Sequence, residues 1–474
     1  MSELFEWIKK EIDQTLIPAL QGFVKIKNQS RAFDPEWETD ELNLQACLYV
    51  ADWSKSQNLK GCSVQVLQEK GRTPCVFVVI KPESFETSVL MYGHLDKQPP
   101  IANQWSQGLG PYDPVIKDGK LYGRGAADDG YSFFLSIIIF KALQKFNLLF
   151  SKAVLMFETD EESESKDIIY FIDKHADEIG EPNLIYCLDG GCIDYNHWCI
   201  TMTLRGVLDF SLKVEVTNQA VHSGNASGII PDTFRIARNL IDRFENPRSG
   251  KIELEDLHVN IPYDKYHQAC ELFKYMDNKI DWQFPFINGV LPTVDDAFQQ
   301  YLNRAWTPQL TLVGIDGVPN VNDAGNVLRP WTKMNFSLRI PPTLPKDFAS
   351  LSIKSFFDKL PVPYNAKATV ELSDVSQGLN SRKLDPDVKK IIAKGAEQFF
   401  GTPPLFISDG ISIPIVSDLE KRFAKAQFIV SGVLGPKSNP HGPDESLNID
   451  YTEIDSEGLL KITENMENLK NLSI

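Results

Sequence analysis

The stretch TSVLMYGHLDKQPP, residues 87–100, ends an apolar run on a histidine and an aspartate. Residues 87–92 are mainly apolar, which predicts a buried β-strand. His94 and Asp96 follow at once, although burial of such groups is unfavourable unless a partner compensates for it. We therefore expect a partner that stabilises both side chains at the end of this strand.

Apolar runs and helical patterns alternate on both sides of this strand. Between residues 74 and 205 the predicted strands are PCVFVVI, SVLMY, KAVLMF and NLIYCLD, and helical patterns occur in YSFFLSIIIFKALQKF and KDIIYFIDKHADEI. This alternation predicts an α/β domain, with a mostly parallel mixed sheet flanked by helices. The carboxyl ends of its strands are expected to carry the functional site.

The pattern changes after residue 205. LDFSLKVEV, KMNFSLRI and ATVELSDV alternate apolar and polar residues, as half-buried strands do, and PDTFRIARNLIDRF has a helical pattern. Helical patterns like those of the α/β domain return in DPDVKKIIAKGAEQFF and DYTEIDSEGLLKITENMENL. We expect a discontinuous domain of residues 1–205 and 378–474, with an inserted α+β domain of residues 206–377.

Composition excludes several classes of partner. The 474 residues include 48 Lys and Arg against 64 Asp and Glu, a net charge of -16 that argues against nucleic acid or an anionic membrane. No secretion signal is visible, and the longest apolar stretch is shorter than the ~20 residues that span a bilayer. The 7 cysteines are scattered without a CxxC pair, which indicates a reducing compartment. We expect a cytoplasmic protein.

Five polar clusters in this chain are rich in metal-ligating residue types. They are GHLD at 93–96, GRGAADDG at 123–130, FETDEESES at 157–165, LDGG at 188–191 and NPHGPDESLN at 439–448. Carboxylates crowded at one sheet edge repel one another, and a divalent cation removes that penalty. Imidazole and carboxylate ligands together suit zinc, manganese or cobalt.

One tetrahedral ion would need only three protein ligands and water, so five candidates indicate two ions that share an aspartate. The candidate ligands are His94, Asp128, Glu162, Asp189 and His441.

Each cluster also has a simpler interpretation when it is taken alone. His94 and His441 would be hydrogen-bonded structural residues, and the pair at 128–129 would cap the following helix. The acidic run at 160–164 would be a solvated helix start, and LDGG would be a turn. The conjunction of all five in the loops of one predicted sheet favours the metal site.

The motifs resemble the metallopeptidase family of carboxypeptidase G, aminoacylase, succinyl-diaminopimelate desuccinylase and the cytosolic dipeptidases, with the carnosine dipeptidase-like branch nearest. The segments that carry the resemblance are, in chain order, GHLDKQPP, LYGRGAADD, DEESES, LD, HSG, SLRIPP, SIP and H. The resemblance implies a zinc-peptidase-like catalytic domain. It also implies that the inserted domain is a lid through which a homodimer forms.

The resemblance further assigns the metal ligands. It implies that His94 and Asp189 bind one ion, that Glu162 and His441 bind the other, and that Asp128 bridges them. The implied cofactors are two divalent ions per subunit, zinc first, with manganese or cobalt as alternatives.

Other residues match the family's catalytic positions. Glu161 matches the general base, although the frame Asp160-Glu161 stays an alternative from the sequence alone. Asp96 matches the aspartate that orients His94, a support that metal-bound histidines generally need. His222 matches a histidine that reaches across the dimer to stabilise the oxyanion, although it could also be an ordinary loop residue.

Three residues match substrate-binding positions. Arg339 corresponds to an arginine that clasps the substrate's carboxylate, although alone it would be a strand-surface charge. Asn326 and Ser412 correspond to groups that hydrogen-bond the substrate.

The implied activity is hydrolysis of dipeptides or short peptides with a free carboxylate, by water held between two ions with a glutamate as base. A glutamate-type carboxypeptidase or an N-acyl-amino-acid deacylase is the alternative on the same scaffold. A non-catalytic metal- or peptide-binding protein is the alternative of another class. Two positions depart from the family pattern: Gly130 follows the aspartate pair, and Glu164 replaces a glycine.

Overall fold

Helices and strands alternate along the residues that this computed structural model describes, 3–83, 85–276, 284 and 286–466. The α-helices are α1 (Glu3–Glu11), α2 (Ile17–Val24), α3 (Leu42–Ser56), α4 (Tyr131–Lys145), α5 (Ile168–Lys174), α6 (Ala176–Ile179), α7 (Ser223–Ala226), α8 (Thr233–Phe244), α9 (Tyr263–Tyr275), α10 (Ala297–Trp306), α11 (Lys346–Lys359), α12 (Pro386–Phe399), α13 (Pro414–Arg422) and α14 (Ile449–Asn465). The predicted continuation of the last helix over 467–469 lies outside the described residues.

The strands of the described residues fall into one large sheet and three smaller ones. They are β1 (Cys62–Leu67), β2 (Cys75–Ile80), β3 (Ser88–His94), β4 (Val115–Lys117), β5 (Lys120–Tyr122), β6 (Lys152–Glu158), β7 (Leu184–Cys187), β8 (Cys199–Leu204), β9 (Gly206–Glu215), β10 (Val221–His222), β11 (Gln309–Asp316), β12 (Val327–Leu328), β13 (Trp331–Ile340), β14 (Lys367–Ser376), β15 (Leu379–Asn380), β16 (Leu405–Ser408), β17 (Gln427–Val430) and β18 (Ser446–Asn448).

The large sheet has the order β1-β2-β6-β3-β7-β17-β8-β15, with β16 also paired to β8. Its central neighbours β6, β3, β7 and β17 run parallel, whereas β1, β2 and β15 pair antiparallel near the edges. Parallel strands end at the same edge, so His94 lies opposite Glu158 and Tyr92 lies opposite Cys187. The loops after β3, β6 and β7 therefore begin side by side.

Apolar layers cover both faces of this sheet. Helices α1 to α4, α12 and α14 pack on one face, and α5 and α13 pack on the other. The twelve residues of α4 that the structure buries explain its nearly continuous apolar sequence. Along the described ranges, no helix combines the length and the apolar character needed to cross a membrane.

The inserted domain is built on a four-stranded antiparallel sheet of order β11-β13-β9-β14. Inward residues of β9 and β13 alternate with more exposed ones, and helices α8 and α11 cover the inward face. Phe210 stacks on Phe336 in this core, with ring centroids 5.2 Å apart. The predicted fold class, an α/β domain with an inserted α+β lid, is confirmed.

Helices α9 and α10 lie within the predicted insertion of 206–377 but do not pack on the lid sheet. Leu272, Phe273, Tyr301 and Trp306 belong to the apolar core on one face of the large sheet. The indole of Trp306 also donates to Ser408 Oγ at the end of β16, at 3.2 Å. The chain therefore returns to the first domain in the middle of the insertion, which the predicted boundaries do not describe.

Candidate metal centre and active site

Three parallel strands and two loops bring the predicted ligands together. His94 is the last residue of β3, Glu161 and Glu162 begin a 3₁₀ turn after β6, and Asp189 follows β7 by two residues. Asp128 lies in the turn Ala126–Gly130, directly before α4. Four of the five predicted ligands therefore come from one edge of the large sheet and the turn beside it.

Asp128 lies between the two predicted histidine ligands. Its Oδ1 is 3.2 Å from Nε2 of His94, and its Oδ2 is 3.1 Å from Nε2 of His441. Nε2 of His441 is also 3.4 Å from Glu162 Oε2, and Nε2 of His94 is 3.9 Å from Asp189 Oδ2. The structure thus brings all five predicted ligands into one cluster, with a carboxylate at its centre.

Two groups within the cluster have the spacing of a metal site. Ligand atoms of His94, Asp128 and Glu162 lie within 4.8 Å of one another, and so do those of His94, Glu161 and Asp189. Glu161 is thus close enough to count as a sixth possible ligand.

Asp96 connects His94 with the loop of the two glutamates. Nδ1 of His94 is 3.1 Å from the backbone oxygen of Asp96 and 3.4 Å from its Oδ1. The same carboxylate accepts hydrogen bonds from the backbone N–H groups of Glu161 (3.2 Å) and Glu162 (3.1 Å). Contact on Nδ1 leaves Nε2 directed at the cluster, which is the arrangement expected of a histidine ligand.

The acidic side chains of the cluster are removed from water, and this changes their pKa values. Burial raises the pKa of Glu162 to about 7, and burial also raises the pKa values of Glu161 and Asp189 well above their usual range. Although burial opposes it, hydrogen bonds to His441 and His94 hold the pKa of Asp128 well below its usual value. Positive charge at this place would favour the ionised carboxylates.

The residues present fit divalent cations. Glu162 Oε1 is buried and has no hydrogen-bond partner among the residues that the structure describes, so the site lacks a positive or donor group at this atom. Two imidazoles and a set of carboxylates form a donor set that suits zinc, manganese or cobalt. His441 has a side chain 57% exposed, so the cluster is open to the cleft on that side.

Small residues and buried polar groups keep the cluster closely packed. A Cβ at Gly93 would approach Asp129 Oδ2 and the Phe157 ring to 2.5 Å, so only glycine fits before His94. Asp129 accepts from the backbone N–H of His94 at 3.2 Å, and burial raises its pKa to about 7. Glu445 accepts from the backbone N–H of Asp128 at 3.2 Å.

Sequence reasoning assigned Asp129 only a possible role as a helix cap, and it predicted no role for Glu445 or for Gln98, whose side chain donates to Glu162 Oε2 at 2.5 Å. All three stand inside the motifs quoted above, within four residues of a predicted ligand. This short distance along the chain was the available signal.

A cavity of about 650 Å³ extends from the cluster to the lid sheet. Its lining includes Asp128, Glu161 and His441 of the cluster as well as Arg339 and Ser412. Nη1 of Arg339 donates to Ser412 Oγ at 2.9 Å. Two of the three predicted substrate-binding residues therefore share one cleft with the metal cluster.

His222 and Asn326 lie elsewhere. His222 is exposed in β10, which pairs with β12, and the backbone N–H of Ser223 donates to the Asn326 oxygen at 2.9 Å. Neither residue is among those that line the described cleft. The structure places the two side by side in the lid but not at the metal cluster of the same chain.

Comparison with known proteins supports the same classification. The family described as Peptidase family M20/M25/M40 matches residues 90–465. A cysteinylglycine-S-conjugate dipeptidase of Corynebacterium striatum is 28% identical over 382 residues, which cover 80% of each chain. A Beta-Ala-His dipeptidase of Mus musculus is 26% identical over 477 residues, 94% of this chain and 92% of the relative.

Solved structures agree in fold. Human carnosine dipeptidase 1 has a TM-score of 0.79 at 20% identity, with 98% of both chains covered. The dipeptidase Dug1p of Saccharomyces cerevisiae has a TM-score of 0.78 at 18% identity, again with 98% of both chains covered. The match of residues 90–465 spans most of the sequence, and the predicted resemblance is confirmed. The chain belongs to peptidase family M20/M25/M40.

Proposed function

We propose that the protein is a metal-dependent peptidase that hydrolyses dipeptides or other short peptides with a free carboxylate. The observation that carries this proposal is the single cleft that joins the acidic and histidine cluster to Arg339. A peptide bond at the cluster would leave the substrate's carboxyl end near the arginine. The names of the relatives, both dipeptidases, support a dipeptide as substrate.

The cofactors would be two divalent ions, zinc first, with manganese or cobalt as alternatives. His94 and Asp189 would hold one ion, Glu162 and His441 the other, and Asp128 would contact both, as its place between the histidines supports. Such ions lower the pKa of water and polarise a carbonyl group.

Glu161 would act as general base on this scaffold. It lines the cleft, and its backbone N–H is held by Asp96 at 3.2 Å. Its carboxylate would take a proton from water and pass it to the nitrogen of the leaving amine. Glu162, its neighbour, is engaged by Gln98 and faces His441, which supports a division of labour between the two glutamates.

Arg339 would bind the substrate's terminal carboxylate, because a guanidinium group matches a carboxylate in geometry and charge. Ser412, which accepts from Arg339, would hold the arginine and hydrogen-bond the substrate. His222 and Asn326 would serve the site of a second copy in a homodimer. Their exposure in the lid, away from their own cluster, supports that placement.

We also propose a cytoplasmic location. All seven cysteines are free thiols, and those at positions 47, 75, 187, 192 and 199 are buried. A reducing compartment preserves such thiols.

A substrate panel tests the proposal and its nearest alternative. Purified protein is assayed with zinc and with manganese on dipeptides, N-acetyl amino acids and C-terminal glutamate conjugates. We expect the highest kcat/KM on dipeptides and loss of activity after chelation. A preference for N-acetyl amino acids or glutamate conjugates would instead support the deacylase or carboxypeptidase, and inactivity on the whole panel would contradict the proposal.

A further inference from the structure

Three arginines converge on the loop Asp409–Ser412, whose residues 410–412 line the cleft. Arg205 Nε donates to the Gly410 oxygen at 3.0 Å, and Arg304 Nη2 contacts Asp409 Oδ1 at 2.6 Å. Arg339 reaches the same loop through Ser412. All three line the cavity, although they come from the end of β8, from α10 and from β13.

The loop is shaped for these side chains. A Cβ at Gly410 would approach the backbone oxygen of Arg304 to 2.8 Å and Arg205 Nη2 to 3.2 Å. The backbone N–H of Arg205 donates to the Ile411 oxygen at 3.1 Å, and its own oxygen accepts from Ser412 Oγ at 2.6 Å. Arg205 is therefore fixed beside Arg339 by the loop that both contact.

The cluster carries more positive than negative charge. Among the residues that the structure describes, two carboxylates stand near the three guanidinium groups: Asp409 contacts Arg304, and Asp209 lines the cavity near Arg339. Within this described set, three positive and two negative charges leave one positive charge in excess. Burial, and then the charges of Arg339 and Arg304, lower the pKa of Arg205 to about 9.

Arg205 also has an unused donor. Its Nη1 is buried and has no hydrogen-bond partner within the described ranges. Buried donors are normally satisfied, because leaving one unpaired is unfavourable. A single carboxylate at this place would supply both an acceptor and the one missing negative charge.

We propose that Arg205 binds the terminal carboxylate of the substrate together with Arg339, as two guanidinium groups held by one loop. The inference rests on the proposed function, since it adds a specificity-determining residue to the same cleft. A carboxylate has two oxygens, so each guanidinium group can bind one of them. A neutral carboxamide matches neither the charge nor the donors, and the enzyme should discriminate against it.

The test compares Ala-Leu with its C-terminal amide in the metal-loaded enzyme. We expect wild type to favour the free acid, and we expect Arg205→Gln to lower the acid-to-amide ratio of kcat/KM by about 10- to 100-fold. Arg205→Lys keeps a positive charge without the planar fork and should lower the ratio less. Arg248→Gln removes an exposed arginine of the lid and should leave the ratio unchanged.

A purely structural role for Arg205 gives a different result. Damage to the loop would slow both substrates equally, and an unchanged ratio in both Arg205 variants would overturn the inference. If Arg205 and Arg339 bind the same carboxylate, the two substitutions should not act independently. For the free acid, the fold loss of kcat/KM in the double variant Arg205→Gln/Arg339→Gln should differ by more than about 3-fold from the product of the losses in the two single variants. For the amide, no such difference is expected.

The outcome separates this inference from the proposed function. If Ala-Leu is not hydrolysed, a dipeptide of the panel that is hydrolysed takes its place, together with its C-terminal amide. If no dipeptide is hydrolysed, the dipeptidase proposal fails, and N-acetyl-leucine against its amide carries the same ratio. If neither pair reacts, calorimetry replaces kinetics. It measures the affinities of leucine and of leucinamide for wild type and for Arg205→Lys. Equal affinity of wild type for both ligands would overturn the two-arginine site.

Discussion

Asp96 shows how one side chain can set the geometry of several others. It contacts Nδ1 of His94 and accepts from the backbone of Glu161 and Glu162, so it joins two strand ends. Its presence two residues after a buried histidine was visible in the sequence. Its contact with the glutamate loop was not, because the pairing of β3 with β6 is a tertiary feature.

The assignment of Glu161 as base predicts a separation of metal binding from catalysis. Glu161→Gln keeps the size of the side chain but cannot accept a proton as a carboxylate does. We expect kcat to fall by about 10²- to 10⁴-fold, with metal content unchanged in elemental analysis. A fully active variant would disprove the role of Glu161, and a variant that loses metal would make it a ligand.

Glu164 occupies a position where the backbone favours glycine. Its φ of 77° is left-handed, which explains why the family pattern has glycine here. Glu164→Gly removes the steric cost of the left-handed backbone, but glycine loses more conformational entropy on folding. The net effect should be a rise in the free energy of unfolding of about 0.5–1 kcal/mol. Urea denaturation measures the change, and Glu164→Gln, which keeps the strained backbone, is the control. An equal gain in both variants would point to charge rather than to backbone strain.

Helices and strands were predicted best where the apolar pattern of a segment reflects its burial in a single layer of the fold. The apolar run that ends at His94 became β3, and YSFFLSIIIFKALQKF became α4. The amphipathic pattern of α10 shows that one face is buried but not which layer covers it. Its packing on the large sheet, which carries Arg304 into the cleft, was therefore missed.

The loop after β6 depends on an ion pair with the N-terminal segment. Arg31 contacts Asp160 Oδ2 at 2.8 Å and Asp167 Oδ2 at 2.9 Å, and the Asp160 side chain is fully buried. Arg31→Met would leave the buried Asp160 carboxylate without this cation, although the backbone N–H of Lys166 still donates to its Oδ2, and we expect the free energy of unfolding to fall by about 3 kcal/mol.

Two controls accompany this prediction in urea denaturation. The exposed substitution Arg248→Met should change stability by less than about 0.5 kcal/mol. Adding Asp160→Asn to Arg31→Met should restore part of the loss, because no buried charge then remains unpaired. A loss below about 1 kcal/mol in Arg31→Met would contradict the dependence of the loop on this pair.

At the scale of the whole molecule, the exposed His222 predicts a division of each active site between two chains. Glu161→Gln and His222→Ala variants should each be nearly inactive. After subunit exchange, half of the dimers are mixed, and one of their two sites has both residues intact. An equal mixture should therefore recover about a quarter of wild-type activity. No recovery, or a monomer in light scattering, would contradict the cross-dimer role.

We propose that the acidic and histidine side chains at the edge of the large sheet bind a pair of cations. Elemental analysis of protein that has been loaded with zinc and then dialysed measures this binding. We predict about two divalent ions per chain in wild type and a loss of both in Asp128→Ala, because that aspartate lies between the two histidines. A wild-type protein that retains no ion would show that these side chains do not form a metal centre.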